Sequence, residues 1–145
     1  EFSSGEDIEL CLALRLAGWH LWYEPSLTLK HFLSANRLEW THLKRLNRTF
    51  GVSTVVTDAY YFALLEPKTL NDRLIQTWAG QTAAALKRLL QHSIRLLLAF
   101  PHSPEGNASA LEIERTLGRS SVLLRTRKEY ERRIQEVRNA SWRRI

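Results

Sequence analysis

The segment that opens with three carboxylates in four positions constrains the fold most strongly, because it combines a helix start with a helix stop. Glu6, Asp7 and Glu9 suit the first turn of a helix, where unpaired N–H groups and the helix dipole attract negative charge. Apolar residues then recur at helical spacing until Gly18, a residue type that commonly ends helices. The sequence therefore predicts a largely buried first helix. The residues available as its N-caps are Ser3 and Ser4.

Two extended stretches are predicted directly after Gly18. Bulky and polar residues alternate over 19–23, which is typical of a short strand, and Pro25 ends this stretch. Residues 26–30 continue in extended form up to His31. Two short strands behind one helix do not make a sheet, so we expect an upstream half to precede this chain in a longer polypeptide.

The order of these features resembles the closing part of the catalytic domain of family 2 glycosyltransferases. The resemblance rests on Gly5-Glu6-Asp7-Ile8-Glu9-Leu10, on Arg15-Leu16-Ala17-Gly18-Trp19, and on the Pro and His that follow. It covers roughly the first third of the chain. It implies that residues 1–50 end a GT-A type α/β domain, and that residues 51–145 form a helical C-terminal extension. The expected fold class is mainly α, with a helix and short strands from the catalytic domain.

The resemblance also implies roles for individual residues. Asp7 corresponds to the general base that takes the proton of an acceptor hydroxyl during inverting transfer from a nucleotide-sugar. Glu6 and Glu9 would orient the acceptor or shift the pKa of the Asp7 carboxylate. His31 lies at a position where several related enzymes have a histidine that helps to bind a divalent metal, Mn or Mg, which contacts the donor phosphates. The chain contains no Asp-X-Asp motif, so most of the donor site is expected upstream.

Two further residues are candidates for binding donor or acceptor. Trp19 could stack on a sugar ring, although its spacing, like that of Trp22 and Trp40, favours packing in a core. Arg37 begins a cationic row that could face a diphosphate, although such a row is commonly a solvated helix face. Cys11 follows the apolar pattern of the first helix and is predicted to be a small buried side chain in a reducing compartment.

The rest of the chain is predicted to be helical. We expect one helix from Ala35 to Gly51, a second apolar helix over 52–65, a long helix from about Thr69 to Pro101, and a short one from Ser109 to Gly118. The last helix carries a narrow seam suited to an antiparallel or oligomeric partner. Its residues are Leu123, Arg127, Tyr130, Ile134 and Val137.

The net charge of +6 favours anionic partners. The expected partners are a nucleotide-sugar donor and a glycan or lipid-linked acceptor, in polysaccharide or other glycan synthesis. Two further partners are consistent with the sequence: a second copy of the chain, bound through the last helix, and a membrane surface. Nucleic acid is not an expected partner, because the chain contains no nucleic-acid-binding motif. The apolar runs are too short to span a bilayer, so the expected location is the cytoplasm or the inner face of the membrane. The alternative is that the chain is a non-enzymatic module of basic helices, which serves to bind another molecule or to form an oligomer.

Overall fold

The fold of the described residues, which are 5–65, 67–101 and 103–144 of a computed structural model, consists of helices and their connections. The mainly α prediction is therefore confirmed. The helices, in chain order, are α1 (Glu6–Leu16), a single 3-10 turn (Ala35–Leu38), α2 (Trp40–Leu64), α3 (Leu70–Ile75), α4 (Trp78–Leu98), α5 (Ala108–Thr126) and α6 (Tyr130–Arg138).

The stretches over 19–23 and 26–30 do not form strands within the described chain. The Leu27 N–H donates to the Glu24 carbonyl and closes a local turn between them. A strand needs a neighbour that accepts and donates its ladder hydrogen bonds, and the described helices supply none to these stretches. The prediction of short strands is not met in this structure.

Helix α1 ends as predicted at Gly18. The Gly18 N–H donates to the Arg15 carbonyl and the Trp19 N–H to the Leu14 carbonyl, both at 3.0 Å, while Gly18 has a φ of 84°. This is the Schellman arrangement, which requires a left-handed residue that glycine adopts without strain. The predicted caps Ser3 and Ser4 lie outside the described residues, and Gly5 is the N-cap.

Helix α1 is less buried than its apolar pattern predicts. Leu12 and Leu16 are its buried residues, whereas Ile8 and Leu10 are exposed. Cys11 is also exposed, so the prediction that it is a buried side chain is wrong. Helix α1 packs against α2, and Ile8 and Leu10 stay exposed in this packing.

Two predicted helix ends are wrong because the glycines there serve helix packing. Helix α2 runs through Gly51 and α5 runs through Gly118. A Cβ on Gly51 would overlap the Arg115 carbonyl, and a Cβ on Gly118 would overlap the Arg48 carbonyl. The two glycines thus let the α2 and α5 backbones cross closely. The predicted domain boundary between residues 50 and 51 lies inside the continuous helix α2.

The long helix predicted from about Thr69 is interrupted. Helix α3 ends at Ile75, and α4 begins with Thr77 as its N-cap, whose side-chain oxygen accepts from the Gly80 N–H at 3.0 Å. Side-chain capping compensates for the lost helical hydrogen bonds at this break. The chain therefore turns here and lays α4 along α5.

The apolar seam predicted for the last helix packs against other helices of the same chain. Helix α5 ends at Thr126 and α6 starts at Tyr130, so the seam spans two helices. Leu123, Tyr130 and Ile134 are buried in a core that α2, α4, α5 and α6 share, and Val137 packs against this core while partly buried. The buried residues of this core are Val55, Ala59, Phe62, Ala85, Leu123, Tyr130 and Ile134.

The C-terminal tail ties α1 to α2. The Arg144 N–H donates to the Leu16 carbonyl at 2.9 Å, and the Trp142 ring stacks on Tyr60 with centroids 6.5 Å apart. The end of the chain thus holds the end of α1. Within the described residues, no helix has the length and apolar character needed to cross a bilayer.

Candidate functional site

The first turn of α1 presents two of the three predicted carboxylates to solvent. Glu6 and Asp7 are exposed, and Glu9 is half-buried. The turn is fixed by Gly5, which has a φ of 112° and accepts the first helical bond from the Glu9 N–H at 3.0 Å. A Cβ on Gly5 would lie 3.1 Å from the Cβ of Ser53, so the start of α1 lies close against α2.

Asp7 lines a shallow cavity of about 200 Å³. Arg15 is the other charged residue in its lining, and the remaining wall is formed by Ile8, Cys11, Leu12 and Leu21. A carboxylate with one face open to solvent can accept a proton from a hydroxyl group held against the apolar wall. The cavity therefore combines an exposed carboxylate with one arginine and an apolar wall.

Glu9 points to a different surface. Burial, together with a hydrogen bond to Glu9 and its negative charge, raises the pKa of the Tyr60 hydroxyl. Tyr60 belongs to α2, and Glu9 does not line the Asp7 cavity. Within the acidic turn, the structure thus separates Asp7, which faces a cavity, from Glu9, which holds α1 against α2.

The other predicted site residues are exposed and lie apart from this cavity. Trp19 follows α1, His31 lies in the stretch before the 3-10 turn, and Arg37 belongs to that turn. None of the three lines the Asp7 cavity. Among the described residues, no group of three or more His, Cys, Asp or Glu side chains could hold a metal ion.

A buried polar cluster, which the sequence predictions missed, joins four helices at the core. The Asp58 carboxylate accepts from Arg119 Nη2 at 2.5 Å and from the Tyr130 hydroxyl at 2.6 Å. Arg119 also donates to Thr54 Oγ1 at 2.9 Å and to Gln81 Oε1 at 2.7 Å. The side chains of Asp58 and Arg119 are only 14% and 11% exposed.

The electrostatics of this Asp58 cluster favour a structural role. Burial raises the pKa of the Asp58 carboxyl, while the charge and hydrogen bonds of Arg119 and the hydrogen bond of Tyr130 oppose that rise. Burial and the Asp58 charge raise the pKa of Tyr130, so its hydroxyl stays a donor. Asp58, Arg119 and Tyr130 bond to other members of the cluster, which is typical of a network that specifies how helices pack.

One signal in the sequence could have located this cluster. Asp58 interrupts an apolar stretch, and a carboxylate in such a stretch requires a cationic partner if the helix is buried. Its partners lie 61 and 72 residues away, so their identity depends on the tertiary fold.

Comparisons of the chain with protein-family models, with curated proteins and with solved structures find no match.

Proposed function

We propose that this chain forms the acceptor-side part of an inverting family 2 glycosyltransferase of the GT-A type. In this proposal a longer enzyme transfers a sugar from a nucleotide-sugar donor to a hydroxyl of a glycan or lipid-linked acceptor. Asp7 acts as the general base, and Glu6 helps to orient the acceptor. Most of the donor site is formed by residues outside this chain. The transfer reaction takes place in the cytoplasm or at the inner face of the membrane.

The observation that carries the proposal is the placement of Asp7. It lies on the exposed first turn of α1, and it is the carboxylate in the lining of its cavity. Inverting transfer needs one base within hydrogen-bonding reach of the attacking hydroxyl. Glu9 meets Tyr60 instead, which leaves Asp7 and Glu6 as the carboxylates of this turn that are available to an acceptor.

A second observation supports a larger catalytic domain. The stretch after α1 exposes large apolar side chains to an unusual degree: Trp22 is 89%, Leu29 95% and Phe32 88% exposed. Soluble domains rarely leave such a contiguous apolar segment uncovered. A donor-binding half that paired with residues 19–33 would bury these side chains and supply the missing ladder hydrogen bonds.

A divalent metal, Mn or Mg, would assist by neutralising the departing diphosphate. His31 is the residue of this chain that we propose as its ligand, with further ligands from the upstream half. Trp19 and Arg37 are proposed contacts for the sugar and the phosphates, and their exposure leaves them accessible for this role.

The test is nucleoside diphosphate release by the full-length protein incubated with a panel of nucleotide-sugars and acceptors. Asp7→Asn should lower transfer by about 10²–10⁴-fold, the usual contribution of a general base, while donor affinity changes little. Glu39→Gln is the matched control, because Glu39 is also an exposed carboxylate at a helix start and lies outside the Asp7 cavity. Transfer that survives Asp7→Asn contradicts the assignment of the base.

The alternative function is that of a non-enzymatic, basic helical interaction module, which the net charge of +6 favours. Such a module would bind an acidic partner with a steep dependence on salt and would not respond to Asp7→Asn. Absence of transfer with every nucleotide-sugar, together with salt-dependent binding that Asp7→Asn leaves unchanged, would favour this alternative.

A further inference from the structure

Helix α4 carries an apolar stripe that faces away from the core. The stripe consists of Leu86, Leu90, Ile94 and Leu97, which lie on one face at spacings of four, four and three residues. Leu90 is 56% and Leu97 73% exposed, whereas Ala85 on the opposite side of the helix is buried. The stripe therefore does not contribute to the helical core.

The exposed apolar surface continues beyond the stripe. Leu98 is 80% and Phe100 79% exposed at the end of α4. Leu97 and Phe100 line a cavity of about 400 Å³ together with Ile113 of α5. A surface of this extent, here called the α4 face, exceeds the scattered apolar residues expected on a monomer and marks an interaction site.

The charges of α4 indicate what covers this face. The helix has 21 residues and contains Lys87, Arg88 and Arg95 but no Asp or Glu. Lys87 lies one turn before Leu90 beside the stripe, so its ammonium group would lie near whatever contacts the α4 face.

We propose that the α4 face docks on a membrane surface that contains anionic lipid headgroups. A helix with an exposed apolar stripe and a purely cationic polar face lies in the plane of a bilayer, with its apolar residues at the boundary of the acyl chains. Lys87 and Arg95 extend their aliphatic stems past the apolar layer and place their charges among the headgroups. This inference is independent of the proposed enzymatic function.

A second copy of the chain fits the α4 face less well. Two α4 faces in contact would bring the Lys87 side chains of both copies together, and α4 carries no carboxylate to pair with them. Like charges held close together oppose association. An anionic lipid surface supplies the missing negative charge across the whole helix.

The experiment measures co-flotation of the 145-residue chain with vesicles. The vesicles consist either of phosphatidylcholine alone or of phosphatidylcholine mixed with phosphatidylglycerol. We expect binding to the mixed vesicles, markedly weaker binding to the neutral ones, and a loss of affinity as salt screens the headgroups.

Three variants separate apolar and charged contributions. The double variant Leu90→Gln with Leu97→Gln should bind the mixed vesicles at least about tenfold more weakly, because two large side chains lose their burial in the interface. Lys87→Gln with Arg95→Gln should lose about fivefold per charge on the mixed vesicles and little on neutral ones. Leu38→Gln is the matched control, since Leu38 is 67% exposed outside the α4 face.

All substituted positions are solvent-exposed, so far-UV circular dichroism should match that of the unmodified chain. The proposal is overturned if the chain does not float with anionic vesicles, or if Leu38→Gln reduces flotation as much as the double variant. It is also overturned if the chain forms a dimer by sedimentation that the double leucine variant dissociates, while vesicle binding is absent.

Discussion

Replacing Asp58 by alanine tests whether the buried polar cluster holds the helices together. The substitution removes the carboxylate that accepts from both Arg119 and Tyr130, at 2.5 and 2.6 Å. Arg119 would keep its bonds to Thr54 and Gln81 but would lose the opposite charge, and the hydroxyl of the buried Tyr130 would lose its acceptor.

The expected cost follows from the burial of these groups. Breaking a buried ion pair by removing one partner costs about 3–5 kcal/mol, because the remaining charge is left unpaired in a poorly solvated site. An orphaned buried hydroxyl costs about 1–3 kcal/mol, but the two effects share one carboxylate and do not add. We therefore expect Asp58→Ala to lower the free energy of unfolding by about 3–5 kcal/mol.

Urea denaturation followed by circular dichroism measures this cost. Asp58→Asn should lower the free energy of unfolding by less than Asp58→Ala, because its amide oxygen still accepts one hydrogen bond. The double variant Asp58→Ala with Arg119→Met should be more stable than Asp58→Ala alone, because the unpaired charge is gone. A loss below about 1 kcal/mol for Asp58→Ala, as for an exposed ion pair, would refute the reasoning.

Three further predictions concern single positions. Gly118→Ala should lower the free energy of unfolding by about 1–3 kcal/mol, because its methyl group would overlap the Arg48 carbonyl; helix propensity alone would stabilise the protein by about 1 kcal/mol, so a gain in stability would contradict the close crossing. Arg125→Ala, exposed on the same helix, is its control and should change the free energy of unfolding by less than about 0.5 kcal/mol. Tyr130→Phe should be less stable than the unmodified protein at neutral pH, and the difference should shrink above the ordinary tyrosine pKa of 10.0, because the unfolded chain then loses its Tyr130 proton while the folded chain keeps it; a difference that is constant across that range in urea titrations would contradict the raised pKa. Cys11→Ser should leave the unfolding midpoint within error and abolish labelling by a thiol reagent, because the side chain is exposed; a large loss of stability would contradict that exposure.

Local features of the fold are predictable from the sequence. Gly18 ends α1 through backbone hydrogen bonds that reach back only three and five residues. The acidic first turn of α1 is equally local, since Glu6, Asp7 and Glu9 follow directly on the N-cap Gly5. The helical character of the chain from Ala35 onward likewise follows from its apolar periodicity.

Features that depend on distant partners could not be predicted. Glycine is a residue type that commonly ends helices, yet Gly51 and Gly118 lie inside helices because the α2 and α5 backbones cross closely there. The Asp58 cluster draws its members from four helices, so its geometry exists only once those helices have packed. Within the candidate site, Asp7 could be proposed from its motif, whereas the contact of Glu9 with Tyr60 depends on the position of α2.

The proposed glycosyltransferase activity is tested most directly by measuring sugar transfer with Asp7 intact and with Asp7→Asn. Donor binding is measured in parallel by calorimetry. If Asp7 is the general base, transfer falls by about 10²–10⁴-fold while the affinity for the nucleotide-sugar stays close to that of the unmodified protein. Transfer by the Asp7→Asn protein at the unmodified rate would show that Asp7 is not the general base.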